Sequence, residues 1–300
     1  MLKIAFASQY VLPLPANHRF PISKYELIPL QLLHEGTVLE ENFFEPVSLD
    51  PGIVALTHTR EYIRRLINLE MTPPEMRKIG FPQTPELIDR EFIIAGGTVE
   101  CCDFAMLYGV SLNIAGGTHH AYADKGEGFC LLNDCAIAAN YLLLRKSAQK
   151  ILIVDLDVHQ GQGTAKIFEH EPRVFTFSMH GKNNYPSHKE KSTLDVELHD
   201  GMMDGAYLTL LKKHLPDVIE SFKPDFAFYI SGVDIISTDR FGKLNVSMDG
   251  CKRRDAFVFE ILKKHHIPVV VTMGGGYSPD IKDILEAHCN TFRMAKEIYF

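Results

Sequence analysis

The stretch Ile151–Gly163, ILIVDLDVHQGQG, constrains the fold more than any other part of the chain. Its first half is an uninterrupted apolar run rich in β-branched residues, the composition of a strand buried on both faces of a parallel sheet. Its second half turns polar at once, with Asp155, Asp157 and His159 alternating with Leu156 and Val158. Alternate side chains of an extended chain share one face, so two carboxylates and an imidazole converge at a strand end. That donor set suits a divalent metal of the zinc type, with coordination positions left for water and substrate. A strand end whose polar residues cap a neighbouring helix is the simpler alternative, and a DxD motif on its own does not separate the two.

Apolar, strand-like runs recur at Leu2–Ala7, Val110–Ala115, Val174–Phe177, Asp225–Ile230 and Pro268–Thr272. Between them, helical spacing covers Ser23–His34, Glu86–Tyr108, Asn133–Arg145, Thr164–His170, Gly205–Phe222, Met248–His265 and Pro279–Glu297. This alternation predicts an α/β fold, a single-domain open parallel β-sheet with helices on both faces. A short strand is expected over Phe43–Leu49 and helix pieces over Pro51–Leu56 and Glu61–Leu69. The proline-rich stretches Val11–Pro21 and Met71–Pro85 are expected to be loops. No repeat or linker divides the 300 residues, and 46% hydrophobic content suffices for one large core, so a single domain is expected over 1–300.

A formal net charge of −7 argues against binding nucleic acid through a general basic surface, while leaving a basic protein tail or a polyamine open as partners. No secretory leader and no membrane span is expected. The six cysteines form no CxxC pair and read as the reduced thiols of a cytoplasmic protein.

Ligands of open parallel sheets bind beyond the carboxyl ends of the strands. Five expected strands end in polar or glycine-rich chemistry: Gly116–His120, Asp155–His159, Ser178–His180, Ser231–Asp234 and Gly274–Tyr277. Any one of these reads equally as a cap; five at equivalent positions describe a cleft. Asp157, His159 and Asp234 would give one metal three protein ligands. His119 and His120 offer imidazoles for proton transfer, and Tyr277, after three glycines, offers a hydroxyl to a developing oxyanion. Together these parts describe metal-assisted amide hydrolysis.

The motifs GGTHHAYADKGEGFCLLND (116–134), DLDVHQGQG (155–163), SGVDIISTDRFGKL (231–244) and GGGY (274–277) resemble those of the histone deacetylase superfamily, part of the arginase/deacetylase fold. The similarity runs from about Phe20 to Tyr277. HTREYIRRL (58–66), DVHQGQG and GGGY resemble class IV deacetylases and bacterial histone-deacetylase-like amidohydrolases most. The resemblance implies Zn²⁺ on Asp157, His159 and Asp234, and the same donors also suit Fe²⁺ or Co²⁺. It implies His120 as general base, His119 beside it paired with Asp155, and Tyr277 as carbonyl polariser. Gly128, Phe129, Cys130, Gly275 and Gly276 would form the substrate tunnel. K⁺ would sit behind the metal on Asp155, Ser178 and the main chain at Asp157, His159 and Met179.

The implied substrate is an acyl-lysine protein or peptide, with long acyl chains favoured by the class IV likeness and an acetylated polyamine as runner-up. Gln162 departs from the family pattern, standing where many members carry an aspartate. The rim segment Ile79–Pro82 carries no carboxylate, and Tyr185 and Pro186 are the candidates for a tunnel wall within His180–Ser192. An arginase-like enzyme would need a further aspartate where Ile236 stands. A non-catalytic acyl-lysine binding module would have lost a ligand, a histidine or the tyrosine, and none is lost.

Overall fold

The computed structural model describes residues 1–15 and 17–300. Among these residues the eight strands are β1 (Lys3–Ala5), β2 (Phe43–Phe44), β3 (Val110–Asn113), β4 (Ile151–Asp155), β5 (Val174–Gly181), β6 (Leu194–Leu198), β7 (Phe226–Ile230) and β8 (Val269–Thr272). All pair in parallel, in the order β2-β1-β3-β8-β7-β4-β5-β6. β4 is buried at all five positions and has sheet neighbours along both edges. Each fully buried Ile, Leu or Val there contributes about 1.5–3 kcal/mol relative to exposure. A charged residue at Val154 would remove that contribution and add an unpaired buried charge.

Among the described residues ten α-helices complete the fold: α1 (Lys24–His34), α2 (Pro51–Val54), α3 (Arg60–Ile67), α4 (Pro73–Ile79), α5 (Pro85–Tyr108), α6 (Asp134–Arg145), α7 (Gln162–Ile167), α8 (Asp204–Phe222), α9 (Met248–Lys264) and α10 (Ile281–Tyr299). Their starts follow local chemistry. The side chains of Thr59, Thr84, Asn133 and Ser247 each accept from a backbone N–H of the first turn, of Tyr62, Leu87, Ala136 and Gly250 respectively. α5 ends at Gly109, whose φ of +89° is the left-handed conformation that closes a helix without Cβ strain. α5 packs on β1, β3, β8 and α6, while α1, α10, α9 and α8 succeed one another as packed neighbours in a second group. Among the described residues no helix is long and apolar enough to cross a membrane.

The five strands whose ends carry polar or glycine-rich motifs are contiguous at the centre of the sheet, in the order β3-β8-β7-β4-β5. β7 and β8 insert between β3 and β4, so motifs distant in sequence meet at one edge.

The expected elements differ from the structure in five main places. The first is β5, which runs to Gly181 rather than ending at Phe177, so that Ser178–His180 lie within it. The Met71–Pro85 stretch is not all loop, because α4 occupies its centre. Pro73 and Pro74 sit in its first turn, where a missing N–H costs nothing, and Glu75 accepts from both the N–H and the hydroxyl of Thr72. The strand expected over Phe43–Leu49 pairs only at Phe43 and Phe44, beyond which Pro46 interrupts it. β6 has no counterpart in the sequence reading, since LDVEL is a polar, half-exposed edge strand. The helix expected over Thr164–His170 begins two residues earlier, which puts Gln162 in its first turn.

Candidate active site

His119 and His120 follow β3 on a loop that Asp134 holds in place. The Asp134 carboxylate accepts from the N–H groups of Gly117 (3.2 Å) and Thr118 (2.9 Å) and from the Thr118 hydroxyl (2.7 Å). The two imidazole centroids stand 4.2 Å apart, both rings buried. His119 Nδ1 lies 2.7 Å from Asp155 Oδ2, and His120 Nδ1 lies 2.6 Å from Gln162 Oε1. Burial disfavours the cation on both rings, and the neighbours decide the outcome. Asp155 and Asp157 lift His119 to about 9 against its burial. His120, buried and facing the positive His119 and His159 with only an amide beside it, falls well below the ordinary imidazole value.

Beyond β4 and β7, Asp157, His159 and Asp234 converge. One ligand atom from each lies within 4.8 Å of the others, and all three residues are buried. His159 Nδ1 is 3.0 Å from both Asp157 Oδ1 and Asp234 Oδ2. The other oxygens are already engaged: Gly275 N–H donates to Asp157 Oδ2 at 2.7 Å and Val158 N–H to Asp234 Oδ1 at 2.9 Å. Burial opposes charge on His159, but the two carboxylates hold its proton so firmly that it reaches about 10. Burial, reinforced by Asp157, pushes Asp234 upward. Two buried carboxylates and one imidazole converging within 4.8 Å fit a divalent metal, which would take the place of the His159 proton.

Glycine is required where the loops touch these carboxylates. A Cβ at Gly275 would fall 2.1 Å from Asp234 Oδ2, and one at Gly232 would fall 2.3 Å from Asp157 Oδ2. Behind them Arg254, fully buried beside Asp255, donates to the carbonyls of Gly232 (2.5 Å) and Ser231 (3.2 Å), which anchors the end of β7.

Two spaces meet at this centre. An outer cleft of about 470 Å³ opens to solvent, and an inner chamber of about 30 Å³ lies beyond it. His120, Gly128, Phe129, His159 and Tyr277 line both and so form the neck between them. Phe129 is aimed there by a left-handed backbone (φ +66°), a conformation costing a bulky residue about 1–2 kcal/mol. Its ring stands 5.3 Å from Phe20, 5.4 Å from Phe81 and 6.0 Å from Tyr277. Tyr277 is held by its N–H donating to Asp239 at 2.6 Å and by Phe241 at 5.1 Å; burial keeps its hydroxyl protonated.

Most expected site residues are thereby brought together. Cys130 and Gly275 line the inner chamber, and Tyr185 joins the outer wall with its ring 5.1 Å from His120. Ser178 pairs in register with Asp155, which brings these two expected K⁺ ligands side by side; the Ser178 hydroxyl bonds His180 Nδ1 at 2.9 Å. Met179 is the next residue of the same strand and is buried. Gly276 is the exception. It lines neither space, and a Cβ there would meet Val233 and His288 on the far side of the loop. Pro186 is likewise absent from the lining of the cleft.

Two residues escape a motif-based reading. Lys24 is fully buried, its Nζ donating to the Gly274 carbonyl at 3.1 Å with the Tyr277 ring 6.0 Å away, and burial lowers it to about 8. Its signal is a lysine in step with Ile28 and Leu32 on the apolar face of α1. Arg90 reaches the inner chamber from α5, ion-paired to Glu91.

An open parallel α/β sheet with a buried Asp–His–Asp cluster and paired histidines beyond its central strand ends defines a deacetylase-type hydrolase fold. Residues 18–292 match the histone deacetylase domain family. An uncharacterised protein of Picosynechococcus is 41% identical over 296 residues, 99% of this chain and 99% of that protein. Histone deacetylase 2 of Arabidopsis thaliana is 28% identical over 271 residues, covering 87% of this chain and 70% of that one. The crystal structure of the HDA15 HD domain shares the fold, with a TM-score of 0.83 and 20% identity over 99% of this chain and 88% of that one. The chain belongs to the histone deacetylase family and is a deacetylase-like amidohydrolase.

Proposed function

We propose that the protein hydrolyses the side-chain amide of an acyl-lysine, with Zn²⁺, or Fe²⁺ or Co²⁺, on Asp157, His159 and Asp234. The observation that carries this reading is the neck, where His120, His159, Phe129 and Tyr277 all border both the outer cleft and the inner chamber. A lysine side chain threaded from the cleft brings its amide to that neck and its acyl group to the chamber. The bound metal supplies Lewis-acid polarisation of the amide carbonyl.

The residues of the chain account for the remaining chemistry. His120, neutral, accepts a proton from the attacking water at Nε2, since Nδ1 faces Gln162. His119, kept cationic by Asp155, holds positive charge beside the developing negative charge and is the proton source for the departing amine. The Tyr277 hydroxyl donates to the oxyanion. Phe129 and Phe20 keep water from the lysine methylenes. A potassium ion on Asp155, Ser178 and the main chain of Asp157, His159 and Met179 is supported by the side-by-side pairing of β4 and β5.

The class IV likeness favours long acyl chains over acetyl. Lysine peptides carrying acetyl, octanoyl or myristoyl groups test the reading. Expected is hydrolysis that is faster for the longer acyl chains than for acetyl; faster turnover of acetyl would reject the long-chain preference, and no turnover of any amide would reject the hydrolase assignment.

A further inference from the structure

Arg19, Arg77, Lys78 and Lys243 line the outer cleft, and no carboxylate lines it. All four are exposed, on a chain whose acidic residues outnumber its basic ones, 38 to 31. Among the described residues none of them has a carboxylate within 4.0 Å, whereas nearby cations such as Arg65 and Lys182 are paired, with Glu75 and Glu197.

Neutral contacts explain where these side chains rest. Arg77 and Lys78 occupy the last turn of α4, where the free carbonyls favour cations. Arg19 lies 5.9 Å over the Phe241 ring, and Lys243 Nζ donates to the Asn183 carbonyl at 2.8 Å. None of these contacts cancels a full charge. The carboxylates of the neighbourhood are committed elsewhere: Asp239 accepts from the N–H groups of Phe241, Gly242 and Tyr277, and Glu127 sits against Tyr185.

We propose that the acyl-lysine lies within an acidic protein segment, whose flanking carboxylates engage Arg19, Arg77, Lys78 and Lys243. This deepens the acyl-lysine reading above and rests on it. The cations come from three separate parts of the chain and stand on long exposed stems rather than converging on one buried point. That suits several charges spread along an extended peptide better than one compact anion. A polyamine or a basic tail would instead meet four like charges at the mouth, despite the net charge of −7 that favours such partners overall.

Acetyl-lysine peptides with Asp and Glu, with Ala and Ser, or with Lys and Arg on both sides of the acylated residue provide the test, beside an acetylated polyamine. Their kcat/KM is measured at low and high ionic strength, and binding of the labelled peptides is followed separately by fluorescence anisotropy. Expected is an advantage of ~10-fold for the acidic over the basic peptide in both readouts at low salt, shrinking as salt screens it. The Arg77→Glu/Lys78→Glu double variant is expected to lose the acidic preference and gain on the basic peptide. Equal values for the three peptides, or preference for the basic peptide or the polyamine, would overturn the proposal while leaving hydrolysis standing. Salt-sensitive, acid-selective binding without turnover would uphold it and overturn the hydrolytic reading.

Discussion

His120 Nδ1 lies 2.6 Å from Gln162 Oε1, while the adjacent His119 Nδ1 lies 2.7 Å from the Asp155 carboxylate. Two neighbouring imidazoles in one buried site therefore differ by the charge of a single partner. The amide fixes the ring as firmly as a carboxylate does but gives no Coulombic help to its cation, so His120 stays neutral and His119 does not.

Replacing Gln162 by glutamate keeps the side-chain length and adds the missing charge. It also removes the Gln162 Nε2 donor, which is buried without a partner. A carboxylate favours the imidazolium, so the pKa of His120 rises and the acidic limb of kcat/KM moves to higher pH. A pH–rate profile of Gln162→Glu that superimposes on the wild type would show that residue 162 only orients the ring.

Tyr277→Phe removes one donor to the oxyanion and leaves the aromatic neck intact. The expected loss in kcat is ~10²–10³, with a much smaller change in binding. Steady-state kinetics beside peptide binding separate the two, and an unchanged kcat would reduce Tyr277 to a packing residue.

Metal binding at the Asp–His–Asp cluster is visible without any assay of activity. A divalent ion at about a hundredfold its Kd is expected to stabilise the fold by roughly 3 kcal/mol, read as a rise in Tm. Elemental analysis is expected to find one such ion per chain at this cluster, and Asp234→Ala to lose both the ion and the Tm response. A full Tm response in Asp157→Ala, His159→Ala and Asp234→Ala alike would place the metal elsewhere.

Glu35, just past the end of α1, takes two hydrogen bonds from Arg293 of α10, at 2.8 and 2.6 Å. The Arg293 hydrogen bonds, opposed by partial burial and helped by Thr37 and Gln31, lower Glu35 to about 2. A carboxylate depressed in the folded state stabilises above its unfolded value of about 4.3, and that stability is lost as pH falls through about 2. Glu35→Gln is therefore expected to cost ~1 kcal/mol at pH 7, a figure kept small because both side chains are about one-fifth exposed. The cost is expected to shrink steadily as the pH is lowered from 4.5. Urea unfolding at pH 7 and pH 3.5 measures it, and an equal cost at both would sever it from the Glu35 charge.

Local pattern alone made much of the site legible. The apolar run of β4 specifies a buried strand, because strand pattern depends only on immediate neighbours. The strand ends at Asp155, however, and Asp157 and His159 follow it in a bend rather than on one strand face. Helix starts such as Thr84–Pro85 are equally local. The short helix α4 was hidden because two prolines look like a loop until Thr72 and Glu75 are seen to cap them.

Tertiary structure decided what depends on elements crossing one another. The insertion of β7 and β8 between β3 and β4 is what brings His120, Asp157, Asp234 and Tyr277 to one site. Gly275 lines the chamber and its neighbour Gly276 does not. The contact of Lys24 with Gly274 spans 250 residues, and the four rim cations come from residues 19, 77–78 and 243. Chain direction and residue type are properties of a segment and can be read from it. Chamber volume and the sum of charge around a mouth are properties of several segments at once, and only their packing sets them.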